Sequence, residues 1–188
     1  RVVDLSRVVS AVLLTPEDSD LVHGPPAARR AYLDGLLSKL STRYALLLRE
    51  YLRVVEQRNA LLRQGHGGAE LDAWSERFLA LANEIASLRE RAVRRIAPLA
   101  TAIYREVSGG EERLAASLRT AHGEGPLGEA LGTSAIAERA RGQTVIGPHR
   151  DDLLLELDGV NLQEYGSRGE ARTAALALRV AEYRLLSE

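Results

Sequence analysis

The hydrophobic positions between residues 27 and 107 repeat at helical spacing and predict three consecutive helices. In the first helix, apolar side chains from Tyr32 to Leu40 share one face, and Ser41 or Thr42 is suited to cap the second. The second helix has a stripe made of Tyr44, Leu48, Tyr51, Val55, Arg58 and Leu62. The third alternates spacings of three and four, as a coiled-coil seam does, at Leu71, Trp74, Phe78, Leu81, Ile85, Leu88 and Ala92.

A glycine-rich turn at residues 65–68 joins the second and third helices and predicts an antiparallel helical hairpin. A helix of about 22 residues would extend roughly 33 Å. Pro98 is expected to kink or interrupt the third helix. The seam is narrow and the opposite faces are rich in arginine and glutamate, which favours a projecting arm over an isolated helical bundle.

Short strands and helices are predicted on both sides of this arm. Residues 8–14 are typical of a buried strand, and residues 112–120 alternate as a strand does. Residues 127–141 predict an amphipathic helix that Gly142 ends.

The last 40 residues predict a hairpin followed by a helix. Leucine-rich Asp152–Leu157 is typical of a buried strand, and Asp158-Gly159 is a strong signal for a two-residue turn leading into a partner strand at 160–163. From Ala171 the apolar positions cover most of a helix. The predicted fold class is therefore α+β and mostly helical.

Composition narrows the class of protein further. The 188 residues are 45% hydrophobic and 27% charged, as in ordinary folded domains. The absence of cysteine excludes disulfides and thiolate metal sites and favours a reducing cytoplasm. There is no membrane-length apolar run and no signal-peptide pattern, so no membrane partner is expected. The net charge of −1 argues against a uniformly basic nucleic-acid binder.

Two further absences concern the extent of the chain and its nucleotide chemistry. The chain lacks methionine and opens on Arg1, which indicates a partial chain. It also lacks the G-x-x-x-x-G-K-[ST] loop that wraps nucleotide phosphates. We therefore expect no catalytic residue in it and no ATP hydrolysis by this segment alone.

The loop Ser167-Arg168-Gly169-Glu170 leads directly into the last predicted helix. A serine and free backbone amides at a helix N-terminus form an anion-binding arrangement. The same residues also fit a capping box, in which Ser167 and Glu170 serve only the helix. The loop by itself leaves both interpretations open.

His149, Asp151, Asp152, Glu156 and Asp158 lie close in sequence but do not predict a metal site. They alternate along a segment that we expect to be extended, so their side chains would point to opposite faces. The tripeptide His149-Arg150-Asp151 also lacks the asparagine that a kinase catalytic loop has five residues after its aspartate.

The segment Gly147-Pro148-His149-Arg150-Asp151-Asp152-Leu153, followed by Ser167-Arg168-Gly169-Glu170-Ala171-Arg172-Thr173, resembles the RecF family of recombination mediators. The resemblance continues in the run LLTPEDSDLVHGPPAARRAYLD at 13–34 and in QRNALL at 57–62. It implies part of an ABC/SMC-like ATPase head into which an antiparallel coiled-coil arm is inserted. The expected divisions are partial head at 1–26, arm at 27–107 and partial head at 108–188.

The resemblance also implies roles for individual residues. Ser167, Arg168, Gly169 and Glu170 resemble the ABC signature loop, which contacts ATP held by the other subunit of a dimer. Arg168 stands where classical ABC proteins have glycine, so this position departs from the pattern of the signature loop. Glu17 and Asp18 fall in a Q-loop-like region that would sense the γ-phosphate, or they simply favour a helix N-terminus.

The family's activity would be slow, DNA-stimulated ATP hydrolysis coupled to dimerisation. The implied partners are duplex DNA or single/double-strand junctions, a RecR-type mediator and a second copy in an ATP-dependent homodimer. The implied cofactors are ATP and Mg²⁺, bound mainly by parts outside this segment. The implied processes are DNA replication, repair, recombination and the SOS response, with recombinase loading at single-strand gaps. The alternative is a non-enzymatic coiled-coil scaffold.

Arginines are the candidate contacts to DNA. Arg29, Arg30 and Arg150 are possible phosphate contacts, as are the clusters at 89–95 and 139–141. Acidic residues interleave with most of these arginines, so the alternative is a set of solvated helix faces.

Overall fold

A computed structural model describes residues 20–187, which are mostly helical and include one small sheet. The predicted strand at 8–14 and the candidate residues Glu17 and Asp18 lie outside the described residues. The elements are α1 (Asp20–His23), α2 (Pro26–Leu40), α3 (Thr42–Arg63), α4 (Ala69–Ser108), β1 (Leu114–Arg119), α5 (Leu127–Arg141), β2 (Asp152–Leu157), β3 (Val160–Asn161), α6 (Leu162–Tyr165) and α7 (Arg168–Leu186). The prediction of a mostly helical α+β fold is confirmed.

The chain forms two compact units, and each is built from separated segments. Among the described residues, the first contains 20–32, 91–117 and 153–187, and the second contains 33–90 and 118–152. The domain boundaries predicted from the sequence, after residues 26 and 107, remain a prediction. No helix within residues 20–187 is both long and apolar enough to cross a bilayer.

In the second unit, α3 and α4 form the predicted antiparallel hairpin. Three contacts pair later residues of α3 with earlier residues of α4: Arg43 with Glu84, Glu50 with Arg77, and Arg58 with Ser75. The hairpin begins at the predicted cap, since the Ser41 hydroxyl accepts a hydrogen bond from the Tyr44 amide at 3.3 Å. Whether the two helices supercoil stays a prediction.

Helix α4 runs unbroken through Pro98, so this proline does not interrupt the helix, and the alternative that it kinks the helix stays a prediction. Proline removes one backbone donor, at a cost of about 3 kcal/mol in a helix interior. Buried Ile96, Ala100 and Ile103 anchor the helix on both sides of Pro98. Tertiary packing of this kind routinely overrides local propensity.

The sheet has the order β1-β2-β3, and its hairpin has the predicted turn. Leu157 pairs with Val160 and Glu156 with Asn161 in antiparallel register. Asp158 and Gly159 have φ of 51° and 82°, as a type I′ turn requires. The returning strand is shorter than predicted because the Asn161 side chain accepts a hydrogen bond from the Gln163 amide and starts α6.

Helix α7 crosses the core of the first unit with a face of small side chains. Its fully buried residues are Ala171, Ala174, Ala175, Ala177, Leu178 and Ala181. The Tyr32 hydroxyl donates to the Leu178 carbonyl at 3.0 Å, and burial raises the pKa of this hydroxyl, with a smaller effect from Glu182. This packing holds the N-terminus of α7 in a defined place.

Candidate functional site

Ser167 caps α7 through a complete capping box. Its hydroxyl accepts from the Glu170 amide at 3.2 Å, and the Glu170 carboxylate accepts from the Ser167 amide at 2.7 Å. Ser167, Arg168 and Gly169 are exposed, and Glu170 is half-buried. The interpretation of Ser167 and Glu170 as a cap is therefore confirmed.

The cap does not use up the capacity of this loop to bind an anion. A serine hydroxyl has one donor as well as its acceptor lone pairs, and capping uses only a lone pair. Within residues 20–187, the amides of Arg168 and Gly169 have no protein acceptor, as expected for the first turn of a helix. Three donors and the positive end of the α7 dipole thus share one exposed surface.

The three candidate arginines lie in different surroundings. Arg29 is buried, and its guanidinium donates to the carbonyl oxygens of Val22 at 3.1 Å and Gly24 at 2.7 Å. It therefore holds the C-terminal end of α1, which argues against Arg29 as a DNA contact. Arg30 is half-buried, whereas Arg150 is exposed and donates to the Gln143 side chain at 3.0 Å.

Residues 147–150 form a turn, which corrects the expectation that this segment is extended. The Arg150 amide donates to the Gly147 carbonyl at 2.8 Å. Gly147 has φ of 111°, and a Cβ there would lie 2.7 Å from Cζ of Phe78. Glycine is thus required both by the backbone angle and by the approach to Phe78.

The two aspartates after this turn are both buried, in contrast to the predicted alternation between faces. Asp151 accepts from the Ala121 amide at 2.8 Å, and Asp152 pairs with Arg119 at 3.3 Å. Residues 20–187 contain no cluster of histidine and carboxylate side chains suited to a metal ion. Asp151 and Asp152 therefore connect this segment to residues 119–121.

His149 fixes the same turn to α3. Its Nε2 lies 3.2 Å from the Thr144 carbonyl, which can only accept, so Nε2 carries the proton in the neutral ring. Nδ1 then accepts from the Tyr51 hydroxyl at 2.6 Å. Burial raises the pKa of this tyrosine, so it remains a donor at neutral pH.

A buried arginine holds the turn to the hairpin, and the sequence did not reveal it. Arg89 is 1% exposed; its Nε donates to Asp34 Oδ1 at 3.0 Å, its Nη2 donates to Asp34 Oδ2 at 2.9 Å, and its Nη1 donates to the Pro148 carbonyl at 2.5 Å. Burial alone would lower the pKa of Arg89, but Asp34 and Tyr44 raise it overall. The suggested phosphate-contacting role is therefore wrong for Arg89.

A second buried pair joins α3 to α5. Arg58 and Glu138 are 4% and 1% exposed, and their charged atoms lie 2.6 Å apart. Arg58 also donates to the Thr144 hydroxyl at 2.8 Å and lies over the Phe78 ring. In the sequence, the sign of this buried pair is the position of Arg58 within the otherwise apolar stripe of α3.

The chain is similar in sequence and fold to known proteins. No family model matches the chain. The protein named DNA replication and repair protein RecF from Chloroflexus aggregans is 42% identical over 206 residues, covering 100% of this chain and 53% of the relative. The protein of the same name from Deinococcus radiodurans is 48% identical over 178 residues, covering 95% of this chain and 49% of the relative.

A solved structure described as the recombination mediator protein RecF with ATP in the RecFOR pathway has a TM-score of 0.88 to this chain. It is 26% identical, and the match covers 94% of this chain and 51% of that one. The chain spans about half the length of the curated relatives it matches. With sequence identity along nearly all of its length and the same fold, the chain belongs to the RecF family.

Proposed function

We propose that this chain is part of an ATP-dependent recombination mediator of DNA replication and repair. In this proposal Ser167, Arg168, Gly169 and Glu170 form a signature loop that contacts ATP bound to a second copy of the protein. The parent protein dimerises on ATP and Mg²⁺, binds DNA at single-strand gaps in the cytoplasm and loads recombinase with a RecR-type partner. The names of the relatives and the ATP-bound structural neighbour support this function.

The observation that carries the proposal is the exposed N-terminus of α7. The Ser167 hydroxyl and the amides of Arg168 and Gly169 can each donate a hydrogen bond, and the oxygens of a γ-phosphate accept such bonds. The cap holds Ser167 in one conformation, so little further ordering is needed when a phosphate arrives. The Glu170 carboxylate accepts a hydrogen bond from the Ser167 amide, which holds the carboxylate against its own chain.

The substitution Ser167→Asp separates phosphate contact from capping. Aspartate caps a helix about as well as serine, so the free energy of unfolding should change by less than about 0.5 kcal/mol. A carboxylate facing the triphosphate would instead repel it. We expect the full-length variant to bind ATP normally as a monomer but to lose dimerisation with a non-hydrolysable analogue, measured by analytical ultracentrifugation.

The matched control is Ser117→Asp, which places the same charge at an exposed position of β1. It should leave nucleotide affinity and dimer fraction unchanged. Ser167→Arg tests the same contact by bulk and should also prevent dimerisation. If Ser167→Asp dimerised as the wild type does, Ser167 would be a cap alone.

A further inference from the structure

A recess in the first unit combines apolar walls with acidic side chains. Its volume is about 280 Å³. It lies around the β2–β3 turn, α6 and the first turn of α7. The residues that line it are Glu112, Leu157, Asp158, Val160, Leu162, Tyr165, Gly166 and Glu170.

The three carboxylates in this recess are not neutralised by the described part of the chain. Asp158 accepts from the Arg113 amide at 2.9 Å, and Glu170 accepts from the Ser167 amide, each through one oxygen. Among residues 20–187, neither these two nor Glu112 takes part in an ion pair. Three like charges around one recess attract a cation and repel a polyanion such as DNA.

A tyrosine of α4 responds to the charge of these three carboxylates. Tyr104 is 1% exposed and does not itself line the recess. Burial first, and then Glu112, Glu170 and Asp158, raise the pKa of its hydroxyl. The same three acids that line the recess therefore act on one neighbouring group, as expected for a region of negative potential.

Two large apolar side chains on the rim are exposed. Val160 is 52% exposed and Tyr165 is 74% exposed. An aromatic ring at the mouth of an acidic recess offers a face on which a planar cation stacks. The exposed valine beside it favours a ligand that also carries apolar groups.

We propose that this recess binds an arginine side chain from a partner protein, presented next to apolar residues of the same segment. The guanidinium fork matches several carboxylates at once and stacks on Tyr165, which a lysine ammonium does less well. A bare metal ion is disfavoured, since the described residues include no group arranged as metal ligands. The recess shares Glu170 with the proposed signature loop, so the test changes Glu112 and Asp158 instead.

The test uses the full-length protein and a phage-displayed library of random dodecapeptides. The variant Glu112→Gln/Asp158→Asn removes two charges, and asparagine retains the turn because it tolerates positive φ. Phage that bind this variant are removed first, and the remainder are selected on the wild type. We expect the selected peptides to contain arginine beside apolar residues.

A synthetic peptide from this selection is then measured by fluorescence anisotropy. Its affinity should fall about tenfold or more when citrulline replaces its arginine, and equally on Glu112→Gln/Asp158→Asn. The control Glu111→Gln/Glu164→Gln removes two exposed charges nearby that do not line the recess, and its affinity should remain within about twofold.

Three results would overturn the proposal. The selection could yield no peptide that distinguishes the wild type from the charge-removing variant. The selected peptides could keep their affinity when citrulline replaces arginine. Finally, Glu112→Gln/Asp158→Asn could abolish ATP-dependent dimerisation, which would show that the recess meets a second copy of the chain.

Discussion

At the scale of single residues, the second unit depends on two charged pairs within its core. Arg89 with Asp34 and Arg58 with Glu138 each join segments that are far apart in sequence. A buried pair adds little net stability compared with well-packed apolar residues, because both charges lose their hydration. Removal of one partner is costly, since the remaining charge stays buried and uncompensated.

Replacement of Glu138 with glutamine should therefore lower the free energy of unfolding by about 3–5 kcal/mol. Glutamine keeps the size and one acceptor but leaves the Arg58 cation without its counter-charge. The measurement is equilibrium unfolding in urea. The control Glu84→Gln removes the acid of the exposed pair with Arg43 and should cost less than about 1 kcal/mol. Equal losses in the two variants would contradict the assigned burial.

At the scale of elements, the α3–α4 hairpin is held by its seam rather than by helix propensity. An isolated helix of the length of α3 is marginal in water. Phe78 is fully buried and packs against the rings of Tyr51 and His149. The same ring limits residue 147 to glycine. One aromatic side chain thus connects the hairpin to the 147–150 turn.

Phe78→Ala should destabilise the protein by about 3–5 kcal/mol, through lost burial and the cavity that remains. The control is Leu52→Ala on the exposed face of α3, where half of the side chain is in solvent. Its loss of stability should be well under that of Phe78→Ala. An unchanged urea midpoint for Phe78→Ala would show that the seam is assigned wrongly.

Elements whose signals are local could be predicted closely from the sequence. Asp158-Gly159 determines its turn through two backbone angles, Ser41 caps α3, and the bounds of α5 were those expected. The 147–150 turn was not predicted, because it depends on Tyr51 and Arg89, which are distant in sequence. The continuity of α4 at Pro98 likewise results from packing that no local pattern shows.

The candidate site likewise contains some features that the sequence predicted and others that it did not. The capping box at Ser167 and Glu170 was visible because both residues lie within four positions of each other. The burial of Arg29 could not be predicted, because two consecutive arginines in a sequence are typical of an exposed, charged surface. The carbonyl groups of Val22 and Gly24 that accept its hydrogen bonds are known only from the structure. Whether Ser167 also contacts ATP depends on a second molecule, which no single chain can reveal.

At the scale of the whole molecule, binding to DNA would have to come from local charge, because the net charge is −1. Arg29 is occupied inside the protein, and the acidic recess repels phosphate. Arg150 remains exposed, and its guanidinium has five donors, of which few are used. Of Arg29, Arg30 and Arg150, it is therefore the one best placed to contact a phosphate group.

Arg150→Gln in the full-length protein should weaken DNA binding and reduce the slope of log affinity against log salt by about one. Its stability should change by less than about 1 kcal/mol, since the side chain is exposed. The control Arg53→Gln removes an exposed arginine of α3 in the same unit. Equal losses from both variants would assign the effect to net charge, and an unchanged slope would exclude a phosphate contact by Arg150.

The buried pair of Arg58 and Glu138 has a consequence for the order of events during synthesis. The two residues are 80 positions apart, so α3 is made well before its counter-charge. At about 5–20 residues per second, Arg58 waits roughly 4–16 s for Glu138 to be made. For that interval the hairpin has a cationic side chain within its apolar stripe and cannot close completely. The second unit therefore reaches its final packing only after α5 has been made, however early its helices form.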